Sequence, residues 1–104
     1  MDDILETVKR IEKYTKNSSL SKLKKNSLIV DGVVRNLEII GEAVKNISPQ
    51  IKIQHPEIEW KKIAGLRDIL VHEYFGVDVE VIWDIIVHKL PELKLTVRRI
   101  IKKL

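Results

Sequence analysis

No cysteine occurs in the chain, so neither a disulfide framework nor a thiolate metal site can organise it. That absence fits a reducing interior. Only three prolines and four glycines occur in 104 residues, so breakers are few. No apolar run approaches the roughly 20 residues that span a bilayer. The start, Met1-Asp2-Asp3, is acidic where a secretory signal is basic. The expectation is a cytoplasmic protein with no membrane partner. Internal repeats, low-complexity tracts and linkers are also missing, and no alternating strand pattern survives beyond the ambiguous Val77–Val81.

What remains is the composition of one globular domain, residues 1–104, with 44% hydrophobic and 33% charged residues. A core is possible at this size but not generous, so dimerisation would help. The net charge of +4 is concentrated late. From Lys89 onward six basic residues face a single acid, Glu92, which leaves the first 88 residues close to neutral. A basic helix end of this kind is compatible with nucleic acid and equally with a solvated face that suits a helix C-terminus.

Helical periodicity covers most of the chain. Asp2 or Asp3 is placed to cap a first helix with Ile4, Leu5, Val8, Ile11 and Tyr14 along one side. Asn17-Ser18-Ser19 ends it, and the short basic stretch Leu20–Lys25 follows. A long helix is expected from Asn26 to Ile47, with Val30, Val33, Val34, Leu37, Ile40, Val44 and Ile47 at helical spacing. Ser48-Pro49 stops it, and Gln50–His55 reads as a connector. Pro56 is placed to open a helix that runs, with room for one break, to Phe75, with Gly76 at its end. Asp78 caps Val79–Leu90, and Pro91 opens a last helix to about Lys103. The reading is all-α, an antiparallel bundle of four to five helices, homodimeric.

The segment Arg67-Asp68-Ile69-Leu70-Val71-His72-Glu73-Tyr74 breaks the pattern. At about 100° per residue, Arg67 falls in the middle of the apolar arc made by Ile63, Leu70, Val71 and Phe75. Tyr74 lies two turns along the same line. Asp68 and His72 share the neighbouring edge, four residues apart. An unpaired buried guanidinium costs several kcal/mol, on the order of a whole side chain's burial, so something must offset it. A carboxylate such as Glu38 or Glu42, a subunit interface or an anionic ligand would each serve, and the residues alone leave these open. Arginine grips phosphate as a fork, imidazole moves protons near neutral pH, and a phenol bonds a phosphate oxygen. That kit suits cleavage of RNA through its own 2′-hydroxyl, without metal, since the carboxylates lack metal-ligand spacing. One histidine does not easily act as both base and acid; two copies meeting in a dimer cleft would supply both.

Other candidates carry less. His55 reads as a loop or helix-start residue and His88 as exposed, and no histidine pair has zinc-helix spacing. Trp60 and Trp83 read as core or interface. Gly32, Gly41 and Gly65 sit within helical patterns, which points to close helix approach; no Gly-x-Gly phosphate loop exists. Arg98, Arg99, Lys102 and Lys103 are available to RNA phosphates or to solvent.

The motif Arg67-Asp68-x3-His72-x-Tyr74 resembles the Arg-x4-His-x-Tyr signature of HepT-like proteins in the HEPN superfamily. Its surroundings agree: Arg35-Asn36-Leu37-Glu38-Ile39-Ile40-Gly41-Glu42-Ala43, Trp60-x2-Ile63-Ala64-Gly65-Leu66, Tyr74-Phe75-Gly76-Val77-Asp78, Ile82-Trp83 and Leu90-Pro91-x-Leu93 are similar to the family's pattern from about residue 26. The resemblance implies a helical homodimer whose two motifs line one cleft. It implies the ribonuclease toxin of a type VII toxin–antitoxin pair, acting with no cofactor. It implies a partner nucleotidyltransferase of the MNT family that silences the toxin by moving AMP onto the motif tyrosine, here Tyr74. Arg67 and His72 would be catalytic, Tyr74 catalytic support as well as modification site, and Asp68 accessory, at a position where many relatives carry Asn. Two other readings stand beside it: a catalytically inactive dimer that binds a nucleotidyltransferase, nucleotide or RNA, and a bundle with a buried Arg–carboxylate pair.

Overall fold

Helix α1 (Asp2–Thr15) begins on a backbone with no side-chain cap. Asp3 lies within the first turn and its carboxylate accepts from the Ile4 N–H at 2.9 Å. Ile4, Val8 and Ile11 are buried, as their spacing predicts, while Tyr14 stays 44% exposed. Thr7 and Thr15 complete the stripe. Their hydroxyls donate one turn back, to Asp3 O at 2.7 Å and Ile11 O at 2.8 Å, which is how polar groups enter this core satisfied. The structure, a computed structural model, describes residues 1–66 and 78–103.

Asn17 ends α1 in the left-handed region, φ 60°, which asparagine tolerates better than most residues. Ser19 then caps α2 (Leu20–Lys24) by accepting from Lys22 N at 3.2 Å. Asn26 does the same for α3 (Ser27–Lys45), accepting from Ile29 N at 3.1 Å. Helix α3 is the spine of the molecule. Val33, Leu37, Ile40 and Val44 have no measurable exposure and meet Ile4, Val8 and Ile11 of α1, the most extensive helix pairing among the described residues.

The connector expected at Gln50–His55 is instead helix α4 (Pro49–Gln54). Ser48, which stops α3, caps the new helix from Ile51 N at 3.3 Å, and Pro49 takes its first turn. Pro56 does not open a helix. It lies in a turn, and α5 (Trp60–Ala64) starts four residues later. The delay has a cause: the Ile58 N–H and the Trp60 indole N–H both donate to His55 O, at 3.3 and 2.9 Å, folding the chain back over a buried tryptophan.

Asp78 caps α6 (Val79–Asp84) as its type predicts, accepting from Glu80 N at 3.0 Å. The break expected at Pro91 is absent. Residues Ile85–Lys89 form a π-helical turn, with Leu90 N–H bonded to Ile85 O five residues back, and α7 (Leu90–Lys103) continues from it. Proline has no N–H and its ring collides with the carbonyl four residues earlier in a regular α-helix; a widened turn removes that collision. The wider turn also brings Ile85 and Leu90 to the buried side together. Among the described residues no strand occurs, and the fold is all-α. No helix is long and apolar enough to cross a membrane among those residues.

Two glycines of α3 differ sharply. A Cβ on Gly32 would meet only the Tyr14 ring at 3.7 Å, whereas on Gly41 it would press the Ile63 carbonyl oxygen at 3.1 Å. Gly32→Ala is therefore expected to raise stability by about 0.5–1 kcal/mol through helix propensity. Gly41→Ala is expected to lower it by about 1–3 kcal/mol despite the same propensity gain. Urea midpoints of the two variants check the pair; equal shifts would contradict the close approach.

Candidate functional site

Arg67, Asp68, His72 and Tyr74 lie outside the described residues. The structure defines what holds the two ends of their segment. Before it, α5 is one short helix laid on α3. The approach is close because Gly41 offers no side chain, and the Ile63 and Ala64 carbonyls sit 3.1 and 3.5 Å from where its Cβ would be. Gly65 caps α5 and Leu66, next to the motif, is 6% exposed. After the segment, Asp78 is exposed and anchors α6 through its cap bond. Eleven residues thus run between one buried anchor and one capped helix start.

The α5–α6 side carries a largely apolar groove enclosing about 160 Å³, floored by Ile58, Ile63, Leu66, Ile85 and Leu93. Its rim is ionic. Glu59 Oε2 meets Lys62 Nζ at 2.6 Å and Glu59 Oε1 meets Lys89 Nζ at 2.9 Å. The second contact ties the start of α5 to the end of the π-helical turn, thirty residues apart in sequence. Lys62 first and Lys89 second hold the Glu59 carboxyl down at about 2, and Glu59 in turn raises Lys89. Sequence reading missed this clamp, because a Glu and a Lys thirty residues apart carry no periodic signal.

On the opposite flank of α3 a shallow recess of about 480 Å³ is lined by Asp3, Arg35, Glu38, Ile39, Glu42 and Asn46. Glu38, one of the two carboxylates proposed from sequence as a partner for Arg67, is half-buried there. Glu42, the other, takes Lys45 at 3.2 Å. His55 is more enclosed than a loop reading predicts: its side chain is 10% exposed, with Nδ1 3.3 Å from Glu57 Oε1, and it serves as the C-cap of α4. His88 is exposed as expected and stands 3.8 Å from Asp84. Trp60 is in the core and Trp83 half-buried against it. Among the described residues no group of three or more His, Cys, Asp or Glu side chains could hold a metal ion.

Comparison with known proteins adds family context. The family model described as ribonuclease HepT-like matches residues 4–100. A Caldanaerobacter subterraneus protein, provisionally named an RNase, is 40% identical over 99% of this chain and 92% of its own length. A Methanocaldococcus jannaschii protein, also provisionally an RNase, is 44% identical over 96% of this chain and 83% of its own. A Thermococcus cleftensis protein named probable ribonuclease HepT is 43% identical over 90% of this chain and 86% of its own. No solved structure gives a significant match.

The Glu59 clamp predicts a pH signature. A carboxyl held below its ordinary 4.5 contributes stability that is fully present above that value and is lost as pH falls through about 2. In urea titrations at low salt, wild type should exceed Glu59→Gln at pH 6, and the gap should close between about pH 4.5 and 2. A gap that stays constant over that window would refute the clamp.

Proposed function

Because this chain belongs to the ribonuclease HepT-like family, we propose that it is a metal-independent endoribonuclease, the toxin of a type VII toxin–antitoxin pair, cutting RNA with Arg67, His72 and Tyr74. The observation that supports this reading is the extent of the family match: residues 4–100 enclose the whole of the Arg67-x4-His72-x-Tyr74 motif. By sequence spacing, a guanidinium in an apolar arc two turns before a tyrosine, with an imidazole on the adjoining edge, is a set suited to phosphate chemistry.

The chemistry balances with these groups alone. His72 takes the proton of the RNA 2′-hydroxyl. The 2′-oxygen bonds to phosphorus and the bond from phosphorus to the 5′-oxygen breaks, leaving a 2′,3′-cyclic phosphate. A second His72, from the other copy in a homodimer, gives its proton to the departing 5′-oxygen. Arg67 spans the non-bridging oxygens and stabilises the charge gathered in the phosphorane. Tyr74 donates to one of those oxygens. Asp68, four residues before His72, is positioned by spacing to orient the imidazole.

The same arrangement makes Tyr74 a point of control. A nucleotidyltransferase of the MNT type would move AMP from ATP to the Tyr74 oxygen, releasing pyrophosphate. The product sets a bulky anion beside Arg67, where it occupies the phosphate position and repels RNA.

The test is cleavage of a labelled RNA in EDTA. Wild type should cut, and Arg67→Ala and His72→Ala should each lose about a hundredfold or more. Equal rates for wild type and His72→Ala would refute the reading. Co-expression with the nucleotidyltransferase should add one or more adenylyl masses to wild type and none to Tyr74→Phe.

A further inference from the structure

We infer that the acid-free stretch between Glu12 and Asp31 is a second contact surface for RNA, gripping the backbone of a single strand beside the motif segment. The inference rests on the ribonuclease reading and adds to it a site outside the motif. The stretch holds five lysines (Lys13, Lys16, Lys22, Lys24 and Lys25) and no carboxylate. All five are exposed.

Two contacts and one buried leucine fix this stretch on the fold. Leu23, 1% exposed, pins α2 to the core, so the lysines on either side of it face outward. Lys22 Nζ donates to Asn17 O at 3.2 Å, which draws its ammonium to the turn next to Lys16. Lys24 meets Glu80 Oε1 at 3.1 Å and fastens α2 to the first turn of α6. Lys13, Lys16, Lys22 and Lys25 make no ion pair with any described residue. By contrast, Lys89 and Lys94 of the basic C-terminal region are spent on Glu59 and Glu12, both at 2.9 Å.

Position gives the surface its meaning. Glu80 is two residues past Asp78, where the motif segment ends. Whatever course that segment takes, Tyr74 is four residues and His72 six residues from Asp78, on the order of 14 and 20 Å of fully extended chain. A strand cut at the motif therefore passes within a few nucleotides of α2. Tyr14, in the same stretch, keeps its ring 44% exposed, with one edge near Gly32 at 3.7 Å from the Cβ position. Exposed ammonium groups and a partly open aromatic ring in one acid-free stretch are what a single strand needs, phosphates on the cations and a base on the ring. An acidic protein surface would use the charges and leave the ring idle.

Binding is read with fluorescent 2′-O-methyl RNA, whose blocked nucleophile prevents cleavage, from about 50 to 300 mM salt. The variant Lys16→Ala/Lys22→Ala/Lys25→Ala leaves Lys24 on Glu80. It should lower the slope of log Kd against log salt by about 2, at roughly 0.7 per lysine, and weaken binding at least tenfold. The matching Lys→Arg triple should restore both, which separates charge from folding. Tyr14→Ala should lose about tenfold with the slope unchanged, and Tyr14→Phe should not. An alanine triple with wild-type slope and affinity overturns the proposal. So does a triple that loses only poly-L-glutamate, which would assign the lysines to an acidic protein. Cleavage of ordinary RNA keeps the two readings apart: a wild type that binds through these lysines but does not cut refutes the nuclease alone, and one that cuts while the triple binds normally refutes this surface alone.

Discussion

Everything near the motif depends on one backbone-on-backbone contact, where α5 lies against α3 at Gly41. The longest described helix presents a position without a side chain, and the last carbonyls of a one-turn helix occupy that space. Helix α5 is too short to be stable by itself, since a single turn fixes several dihedrals for few hydrogen bonds. Its geometry is borrowed from α3, from buried Trp60 and from the carbonyl of His55 that holds the indole. Leu66, the last described residue before Arg67, follows this contact by two residues and is buried.

Charge is organised around this frame in two different ways. Near α5 it is internally neutralised: Glu59 is held by Lys62 and Lys89, and the clamp braces the groove between α5 and the π-helical turn. At the junction of α1 and α2 it is left open, with lysines directed to solvent and a single tether to Glu80. The first pattern serves rigidity. The second has the form of a surface that waits for an anion. Net charge alone hides the contrast, because the acids elsewhere in the first 88 residues cancel the lysines in the count without cancelling them in space.

Much of the fold was legible in residue order. Val30 to Val44 at three- and four-residue spacing became the buried side of α3, and Asp78 became the cap that its side chain favours. The errors cluster at proline. Pro56 has the residue type of a helix start, yet the helix waits until Trp60 because the Trp60 indole and the Ile58 amide both donate to His55 O and reorganise the turn. Pro91 has the residue type of a boundary, yet the helix runs through because a π-helical turn costs less than breaking the packing of Ile85, Leu90 and Leu93. Both outcomes are tertiary overrides of a local preference. The family was legible through the ordered motifs that the match over residues 4–100 spans, whereas the candidate site, Arg67 to Tyr74, lies outside the described residues and rests on sequence pattern.

Residue order alone dictates the all-helical class, the face each long helix buries and the chemical kit at Arg67, His72 and Tyr74, because these follow from periodicity and side-chain type within a few turns of chain. Packing settled the rest: that Gly41 admits α5, that Glu59 clamps Lys89 across thirty residues, and that α2 brings its lysines to the start of α6. Each of those joins groups far apart along the chain, and only the burial of Leu23, Leu37 and Trp60 in a shared core fixes their distance in space.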